Sequence, residues 1–265
     1  MGPRARRLLR VPAAPFLVLA LAAGPAVARS IIIGAEDDAA PWSYADGSGY
    51  ANDVVRQAFE RAGWTAELKV LPYARCKALV LSGDIAGCFS MSRTPELDGR
   101  LLFPRQPLFQ AQNLLYAAAS SPLAGCDPAK WPARPRVAIV RGYEYRPAVD
   151  ALFANGLAIA DAGDSEVSAL RKVKAGHVDA ALVTLDPVKR IDFVAALADV
   201  ASDFKVVCDF GGQPAYIAFS RTHPQGAEAA AAFDEGMQAL QRQGVIVATQ
   251  QAWRTRIAPG GAKKH

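Results

Sequence analysis

Apolar residues alternate between short continuous runs and helical stripes along the first third of the chain. The runs have strand length, and the stripes repeat at three- and four-residue spacing, as in an amphipathic helix. Glycine or proline follows most of these segments. The predicted elements are a strand at 31–33, a helix at 50–62, a strand at 67–71, a helix at 72–81 and a strand at 85–91. This alternation predicts a parallel sheet with crossover helices.

The same order returns in the middle of the chain. The predicted elements are a strand at 136–140, a helix at 146–154, a strand at 157–160, a helix from Asp164 or Ser165 to Lys174, a strand at 178–182 and a helix from Asp186 onward. Two longer segments, 108–119 and 213–221, predict extended strands that cross between the halves. An alanine-rich helix at 227–242 and a last helix to Trp253 complete the pattern.

Two segments have a similar build, KALVLSGDIAGCFSMS and LRKVKAGHVDAALVTL, and each predicts a helix, a glycine turn and a strand. We therefore predict an α/β fold of two lobes, each a mixed, mostly parallel sheet flanked by helices, joined by two hinge strands. Lobe one is expected to comprise residues 29–118 and 214–258, lobe two residues 119–213, and residues 259–265 a flexible tail. Ligands of such sheets bind beyond the carboxyl ends of the strands, where Met91–Thr94 and Arg141–Tyr143 lie.

The N-terminus has the pattern of a secretory signal peptide. Four arginines precede an apolar run at 13–23, and Ala26-Val27-Ala28 is a small-x-small cleavage pattern. The run is short for a membrane span, which needs about 20 residues, although an uncleaved anchor is the alternative. We predict cleavage after Ala28, a periplasmic location and no membrane span after cleavage.

The net charge gives no support for a nucleic-acid partner. The formal charge is +5, and the predicted signal peptide alone contains four arginines and no acidic residue. The charge that remains after cleavage is close to neutral, unlike that of a typical nucleic-acid-binding domain.

The chain has four cysteines, an even number that suggests disulfides in an exported protein. Three connectivities are possible, and buried free thiols are the alternative. We favour Cys76–Cys88, which would join a helix to the strand after its turn, and Cys126–Cys208, which would join the two ends of a central segment. No cysteine or histidine spacing typical of a metal site occurs, so neither a metal nor another cofactor is predicted.

The order and spacing of several motifs resemble the family 3 periplasmic solute-binding proteins, the polar amino-acid-binding group. The motifs are IIIGAEDDAAPWSY, GYANDVVRQAFERAG, SGDIAGCFSMSRTPE, RVAIVRG, AGHVDAALV and LQRQGVIVATQQAW. The resemblance extends over nearly the whole chain after residue 28. It implies the type II periplasmic-binding-protein fold, closure of a monomer around a small ligand, and an ABC-transporter permease as a possible partner.

The resemblance does not extend to the residues that bind the carboxylate and ammonium groups of an α-amino acid in that family. The family pattern places an arginine clamp for the ligand carboxylate three residues after Thr94, where this chain has Leu97. It places an aspartate for the ligand ammonium group at the position of Thr184. Because burying a zwitterion without partners costs several kcal/mol, we do not expect an α-amino acid bound in the family's usual way.

The candidate ligand-binding residues lie in the first loop and at the strand ends. Arg93 or Arg75 could replace the missing clamp, although each could equally be a solvated surface residue. Ser90 and Ser92 are expected to share a strand face, and Trp42 and Tyr73 to lie near the cleft mouth, although ordinary packing would also explain the two aromatic residues. The full set is Glu36, Trp42, Tyr73, Arg75, Ser90, Ser92, Arg93, Thr94, Arg141, Tyr143, Tyr145 and Thr184.

The leading hypothesis is non-catalytic periplasmic binding of a small polar, anionic or aromatic solute, for ABC-type uptake. A second hypothesis is a dehydratase-like enzyme on a cyclic acid, in which Glu36, Glu144 or Asp186 would serve as general acid or base. A third is an accessory or sensing module for a periplasmic dehydrogenase.

Overall fold

The structure is a computed structural model that describes residues 2, 29–200 and 203–258. The predicted signal peptide (apart from Gly2) and the predicted tail 259–265 lie outside the described residues. No helix within the described part of the chain has the length and apolar character needed to cross a membrane.

The first part of the chain forms strands and helices close to the predicted positions. Both termini of helix α2 follow from its flanking residues, because Pro72 precedes it and Gly83, in a left-handed conformation, ends it. The elements are β1 Arg29–Glu36, β2 Asp38–Ala39, β3 Ser43–Tyr44, α1 Tyr50–Arg61, β4 Trp64–Leu71, α2 Tyr73–Ser82, β5 Gly87–Ser92, α3 Pro95–Asp98, β6 Leu101–Leu102 and β7 Phe109–Ala118.

The second part repeats the alternation and then returns to the first. Ser165 caps helix α5 by accepting a hydrogen bond from the Ser168 N–H group. After a short 3₁₀ turn at Pro128–Lys130, the elements are β8 Arg136–Val140, α4 Pro147–Ala154, β9 Ile159–Gly163, α5 Glu166–Lys174, β10 Ala180–Leu185, α6 Ile191–Leu197, β11 Phe204–Ser220, α7 Gly226–Arg242 and α8 Val245–Ile257.

One helix begins later than predicted. The sequence places it from Asp186 onward, but α6 begins at Ile191, and its N-cap is Arg190. The Asp186 carboxylate instead accepts hydrogen bonds from the N–H groups of Val188 and Lys189. Because an aspartate can stabilise a turn as well as a helix N-terminus, the Asp-Pro pair predicted a helix where the chain forms a turn.

Nine of the described strands form one sheet of two parallel halves joined by antiparallel strands, and β2 and β3 pair separately. The strand order is β4-β1-β5-β11-β7-β10-β8-β9, with β6 also paired to β11. Strands β4, β1 and β5 are mutually parallel, as are β10, β8 and β9. Strands β7 and β11 are antiparallel to each other and to the halves they join. This topology confirms the predicted α/β fold with two hinge strands.

The buried apolar residues change cluster along both hinge strands. In β7, Phe109 and Ala111 pack with β1, α1 and α7, whereas Leu114 and the residues after it pack with β8, β10 and α5. In β11, the pairing with β7 shifts register between Asp209 and Gly212. We use "lobe one" and "lobe two" for the parts on either side of these changes. The predicted lobe boundaries themselves stay a prediction.

Both favoured disulfides are present, which confirms that connectivity. Cys76 in α2 is bonded to Cys88 in β5, and Cys126 to Cys208 in β11. The first bond lies within the core of lobe one, and the second joins the segment after β7 to the returning hinge strand. The alternative of buried free thiols is therefore wrong.

Candidate functional site

A small, partly open cavity lies between the lobes beside the hinge strands. Its volume is about 20 Å³, enough for one water molecule. Its walls combine polar groups with three aromatic rings and come from both lobes and both hinge strands. The lining residues are Trp42, Ser90, Ser92, Phe109, Ala111, Tyr143, Glu144, Thr184, Gln213 and Ala215.

The sheet topology explains why these residues meet. Ser92 ends β5, residues 143 and 144 follow β8, and Thr184 lies near the end of β10. The carboxyl ends of the parallel strands in each lobe therefore face one cleft, the usual ligand site of open α/β sheets. Gly142 has φ +86°, and a Cβ there would lie 3.2 Å from the Ala74 Cβ. Glycine thus allows the loop after β8 to approach helix α2 of the opposite lobe.

Ser90 reaches the cavity through a β-bulge. The β5–β11 register shifts between Tyr216 and Ile217, opposite this residue, and Ser90 has φ +67°. A serine in this region is strained, and such residues concentrate at functional sites. Ser90 and Ser92 line the same cavity, but through the bulge and not through the regular strand alternation from which a shared face was predicted.

The Glu144 carboxylate lies in the cleft and is held by three donors of lobe one. Its Oε2 accepts hydrogen bonds from the Tyr73 hydroxyl at 2.5 Å and the Ser92 N–H at 3.0 Å. Its Oε1 forms a 2.6 Å ion pair with the Lys77 ammonium group. The Glu144 carbonyl also accepts from the Gln213 amide at 2.7 Å. These contacts hold the two lobes together.

A second contact between the lobes joins Glu36 and Tyr143. The Tyr143 hydroxyl donates to Glu36 Oε1 at 2.6 Å, whereas Oε2 is buried without a hydrogen-bond partner. Glu36 is 2% exposed. Burial raises its pKa to about 8, although the Tyr143 hydrogen bond and the positive charge of Lys189 oppose that shift. Burial therefore favours the protonated form of Glu36 in this closed arrangement.

A third contact lies at the loop after β10. The Trp42 indole N–H donates to the Asp186 carboxylate at 2.9 Å, and the Lys189 ammonium group lies 4.0 Å from the centre of the Trp42 ring. Lys189 also forms a buried ion pair with Glu166 within lobe two. Burial raises the pKa of Asp186 despite its hydrogen bonds to Lys189, Trp42 and Val188.

Seven of the twelve predicted ligand-binding residues lie at or beside the cavity. Trp42, Ser90, Ser92, Tyr143 and Thr184 line it. Glu36 and Tyr73 touch lining residues through their hydrogen bonds to Tyr143 and Glu144.

The other five predicted residues lie elsewhere. Arg75 is exposed on α2. Arg93 pairs with Asp98, Arg141 with Asp164, and Thr94 accepts a hydrogen bond from the Leu97 N–H as N-cap of α3. The Tyr145 hydroxyl, buried in lobe two, accepts from the Val140 N–H. Leu97, at the family's arginine position, is buried in the lobe-one core.

Sequence reasoning missed three polar residues of the cleft, namely Lys77, Asn113 and Gln213. Glu144 was named only as a possible general acid or base of the enzymatic hypothesis and not as a residue of the ligand-binding set. Asn113 pairs with Thr184 across the β7–β10 ladder and is 1% exposed, with neither amide atom hydrogen-bonded. The available signal for Asn113 was its position on the strand face that Phe109 and Ala111 occupy, where the alternation predicts an apolar residue.

The fold has well-matched relatives among solved structures. A histidine kinase sensor domain with similarity to periplasmic binding proteins has a TM-score of 0.73 at 21% identity, over 85% of this chain and 96% of that one. The substrate-binding protein of an amino acid ABC transporter has a TM-score of 0.68 at 16% identity, over 84% of this chain and 98% of that one. The ancestral amino acid-binding protein AncCDT-1, a precursor of cyclohexadienyl dehydratase, has a TM-score of 0.66 at 17% identity, over 84% of this chain and 94% of that one.

At these identities the likeness establishes the fold alone, and that fold is the two-lobed one of periplasmic binding proteins. No curated protein matches the sequence. The family model for bacterial extracellular solute-binding proteins, family 3, matches residues 31–256. That range contains both lobes, both hinge strands and every residue of the cleft. The chain therefore belongs to the bacterial extracellular solute-binding proteins of family 3.

Proposed function

We propose that the protein binds one small polar solute in the interlobe cleft, closes its lobes around it and performs no chemistry on it. The observation that carries this proposal is the cavity, to which lobe one contributes Trp42 and Ser92 and lobe two contributes Tyr143 and Thr184. Buried polar atoms without partners cost about 1–3 kcal/mol each. A solute that satisfies such atoms would stabilise the closed form.

Solute binding requires the lobes to move apart from the arrangement seen here. A cavity of about 20 Å³ accommodates one water molecule and no larger compound. The two hinge strands are the connections at which such a motion would occur. Register irregularity in β11 between Asp209 and Gly212, with Gly211 at φ +84°, supports bending there.

We further propose a periplasmic location, a monomeric state and delivery of the solute to an ABC-type permease. Membership of an extracellular solute-binding family supports the location. The likeness to the substrate-binding protein of an amino acid ABC transporter is compatible with delivery to a permease. Co-purification of the protein with a membrane permease from its native cells would test this part separately.

Of the residues predicted from sequence, seven are retained as ligand contacts. They are Glu36, Trp42, Tyr73, Ser90, Ser92, Tyr143 and Thr184. The polar head groups of Arg75, Arg93 and Arg141 are exposed or paired away from the cavity. An anionic solute would therefore lack the arginine partner considered for it, and we do not include anions in the proposed solute class.

The test is a thermal-shift and small-angle scattering screen over neutral, cationic, anionic and aromatic metabolites. We expect at least one compound to raise the melting temperature and to change the radius of gyration. Tyr143→Phe removes a cleft hydroxyl and should weaken that response. Tyr116→Phe alters a buried tyrosine outside the cleft and should not. A screen in which no compound changes either quantity would refute the proposal.

The raised pKa of the buried Glu36 carboxyl group is the observation that favours an enzymatic alternative. A buried carboxyl group with a pKa of about 8 can donate a proton near neutral pH. Dehydration of a cyclic acid would need such a group, and one structural relative is a precursor of a dehydratase. Turnover of prephenate or arogenate by the purified protein, lost in Glu36→Gln, would favour the enzyme over the binding protein.

A further inference from the structure

The groups of the cleft that could bind a carboxylate already contact a carboxylate of the protein, that of Glu144. A backbone N–H, a phenol hydroxyl and an ammonium group, from Ser92, Tyr73 and Lys77, converge on the Glu144 carboxylate. Such charge-assisted hydrogen bonds are the strong contacts that proteins use to hold a carboxylate. The Glu144 side chain is 6% exposed. In this closed arrangement, no donor of that set is left for a carboxylate of the solute.

Four buried side-chain atoms in and beside the cleft have no hydrogen-bond partner among the described residues, and most of them can serve as acceptors. They are Glu36 Oε2, which accepts when the carboxyl group is ionised, Ser90 Oγ, and the amide oxygen and nitrogen of Asn113. Asn113 shares a strand face with Ala111 and lies directly across from Thr184, and both of these line the cavity. A solute rich in N–H donors would satisfy three of these four atoms.

Two carboxyl groups in and beside the cleft lack an ion-pair partner. Glu166 forms an ion pair with Lys189, and Glu144 with Lys77. Glu36 and Asp186 form no ion pair within the described part of the chain, although the charge of Lys189 acts on both. Each is buried, and burial raises the pKa of each, which favours the protonated form. A positively charged solute beside them would favour ionisation and pair with the resulting carboxylates.

We propose that the solute is a small organic cation without a carboxylate group, such as an alkyl or aryl amine, a guanidine or an amidine. This rests on the proposed solute-binding function and specifies its ligand class. A cation would favour the ionised forms of Glu36 and Asp186, pair with them and donate hydrogen bonds to the unpaired acceptors. When the lobes close on a solute, a carboxylate on it would compete with Glu144 for these three donors or lie against it, and like charges in contact repel.

Calorimetric titration of matched compound pairs tests this inference. Each pair is an amine and the amino acid that differs from it by the carboxylate: agmatine and arginine, putrescine and ornithine, histamine and histidine. We expect an amine to bind with a Kd about tenfold or more below that of its amino acid, a difference of about 1.4 kcal/mol. Equal or tighter binding of the amino acids would overturn the inference.

The outcomes also separate this inference from the proposed function. If a neutral solute from the broader screen closes the lobes and no amine binds, the ligand class is wrong and the binding function stands. If no compound of either set binds, both are wrong.

A substitution of Glu144 tests the part assigned to it. Glu144→Gln keeps the shape and removes the charge, so the Kd ratio between amino acid and amine should fall about tenfold. Glu96→Gln, an exposed glutamate at the start of α3, is the matched control and should leave the ratio unchanged. An unchanged ratio in a folded Glu144→Gln protein would overturn the inference. If that variant does not fold, the wild-type ratios decide.

Discussion

Glu36 is a titratable residue buried beside the cavity between the lobes. Its Oε1 accepts from Tyr143, and the charges of Lys189, Glu166 and Asp37 also act on it. Its pKa is about 8 in the folded protein against an ordinary 4.5. Between these values the folded state binds more protons than the unfolded state, so the free energy of unfolding falls as pH rises.

Glu36→Gln should remove that pH dependence. Glutamine imitates the protonated carboxyl group, so the variant should gain melting temperature over the wild type at pH 8.5 and gain little at pH 5. Glu67→Gln, an exposed glutamate on the adjacent strand, serves as the control. Melting curves from pH 5 to 8.5 measure the difference. A gain that is the same at every pH would contradict the pKa assigned to Glu36.

Local features of the sequence, such as strand ends and motif spacing, were enough to identify several individual residues of the cleft. Ser92 was placed by the predicted strand end, Thr184 by its position in the family pattern, and Trp42 as an aromatic residue near the cleft mouth. All three line the cavity. The contact between Glu144 and Ser92 joins residues 52 positions apart. Such a contact depends on how the lobes meet, which local pattern does not encode.

Helices α1 and α7 pack closely because one of them has a glycine at the contact. A Cβ on Gly236 would lie 1.8 Å from the Ala58 carbonyl oxygen in α1. In an exposed helix, replacing glycine by alanine stabilises by about 1 kcal/mol. Here the backbone of α1 would have to move, so the packing cost should exceed that gain.

Gly236→Ala should therefore lower the melting temperature. Gln238→Ala, an exposed position on the same helix, should leave it nearly unchanged and serves as the control. Thermal unfolding followed by circular dichroism gives both values. A Gly236→Ala protein as stable as the wild type would show that α1 and α7 can separate at little cost.

Element boundaries were predicted well where the apolar periodicity ends at a glycine, a proline or a capping residue. Strand β8 has its predicted bounds, and α7 begins one residue early. The helix after Asp186 was misplaced because an aspartate before a proline is compatible with a turn and with a helix start. The bulge at Ser90 could not be predicted, since it depends on pairing with β11, more than 120 residues later.

The two disulfides close loops of very different length in the whole molecule. Cys126 and Cys208 are 82 residues apart, whereas Cys76 and Cys88 are 12 apart. If chain entropy dominates, the longer loop stabilises by about 4.5 kcal/mol and the shorter by about 3 kcal/mol.

Replacing both cysteines of a pair by alanine should therefore cost more for Cys126 and Cys208. Urea denaturation of the two double variants measures the free energies of unfolding. The opposite ranking would indicate that packing around the fully buried Cys76 and Cys88, and not loop length, decides the cost.

The central claim is that the lobes close around a solute, and the distance between them reports on it directly. The two disulfides include all four cysteines, so no native thiol would react with a dye. Gln238→Cys in α7 and Ala148→Cys in α4 then offer one exposed dye site in each lobe. Single-molecule energy transfer between these dyes should show two distances whose populations shift with solute, with a midpoint equal to the calorimetric Kd. Distances that stay unchanged at saturation, for every compound that binds, would contradict the account.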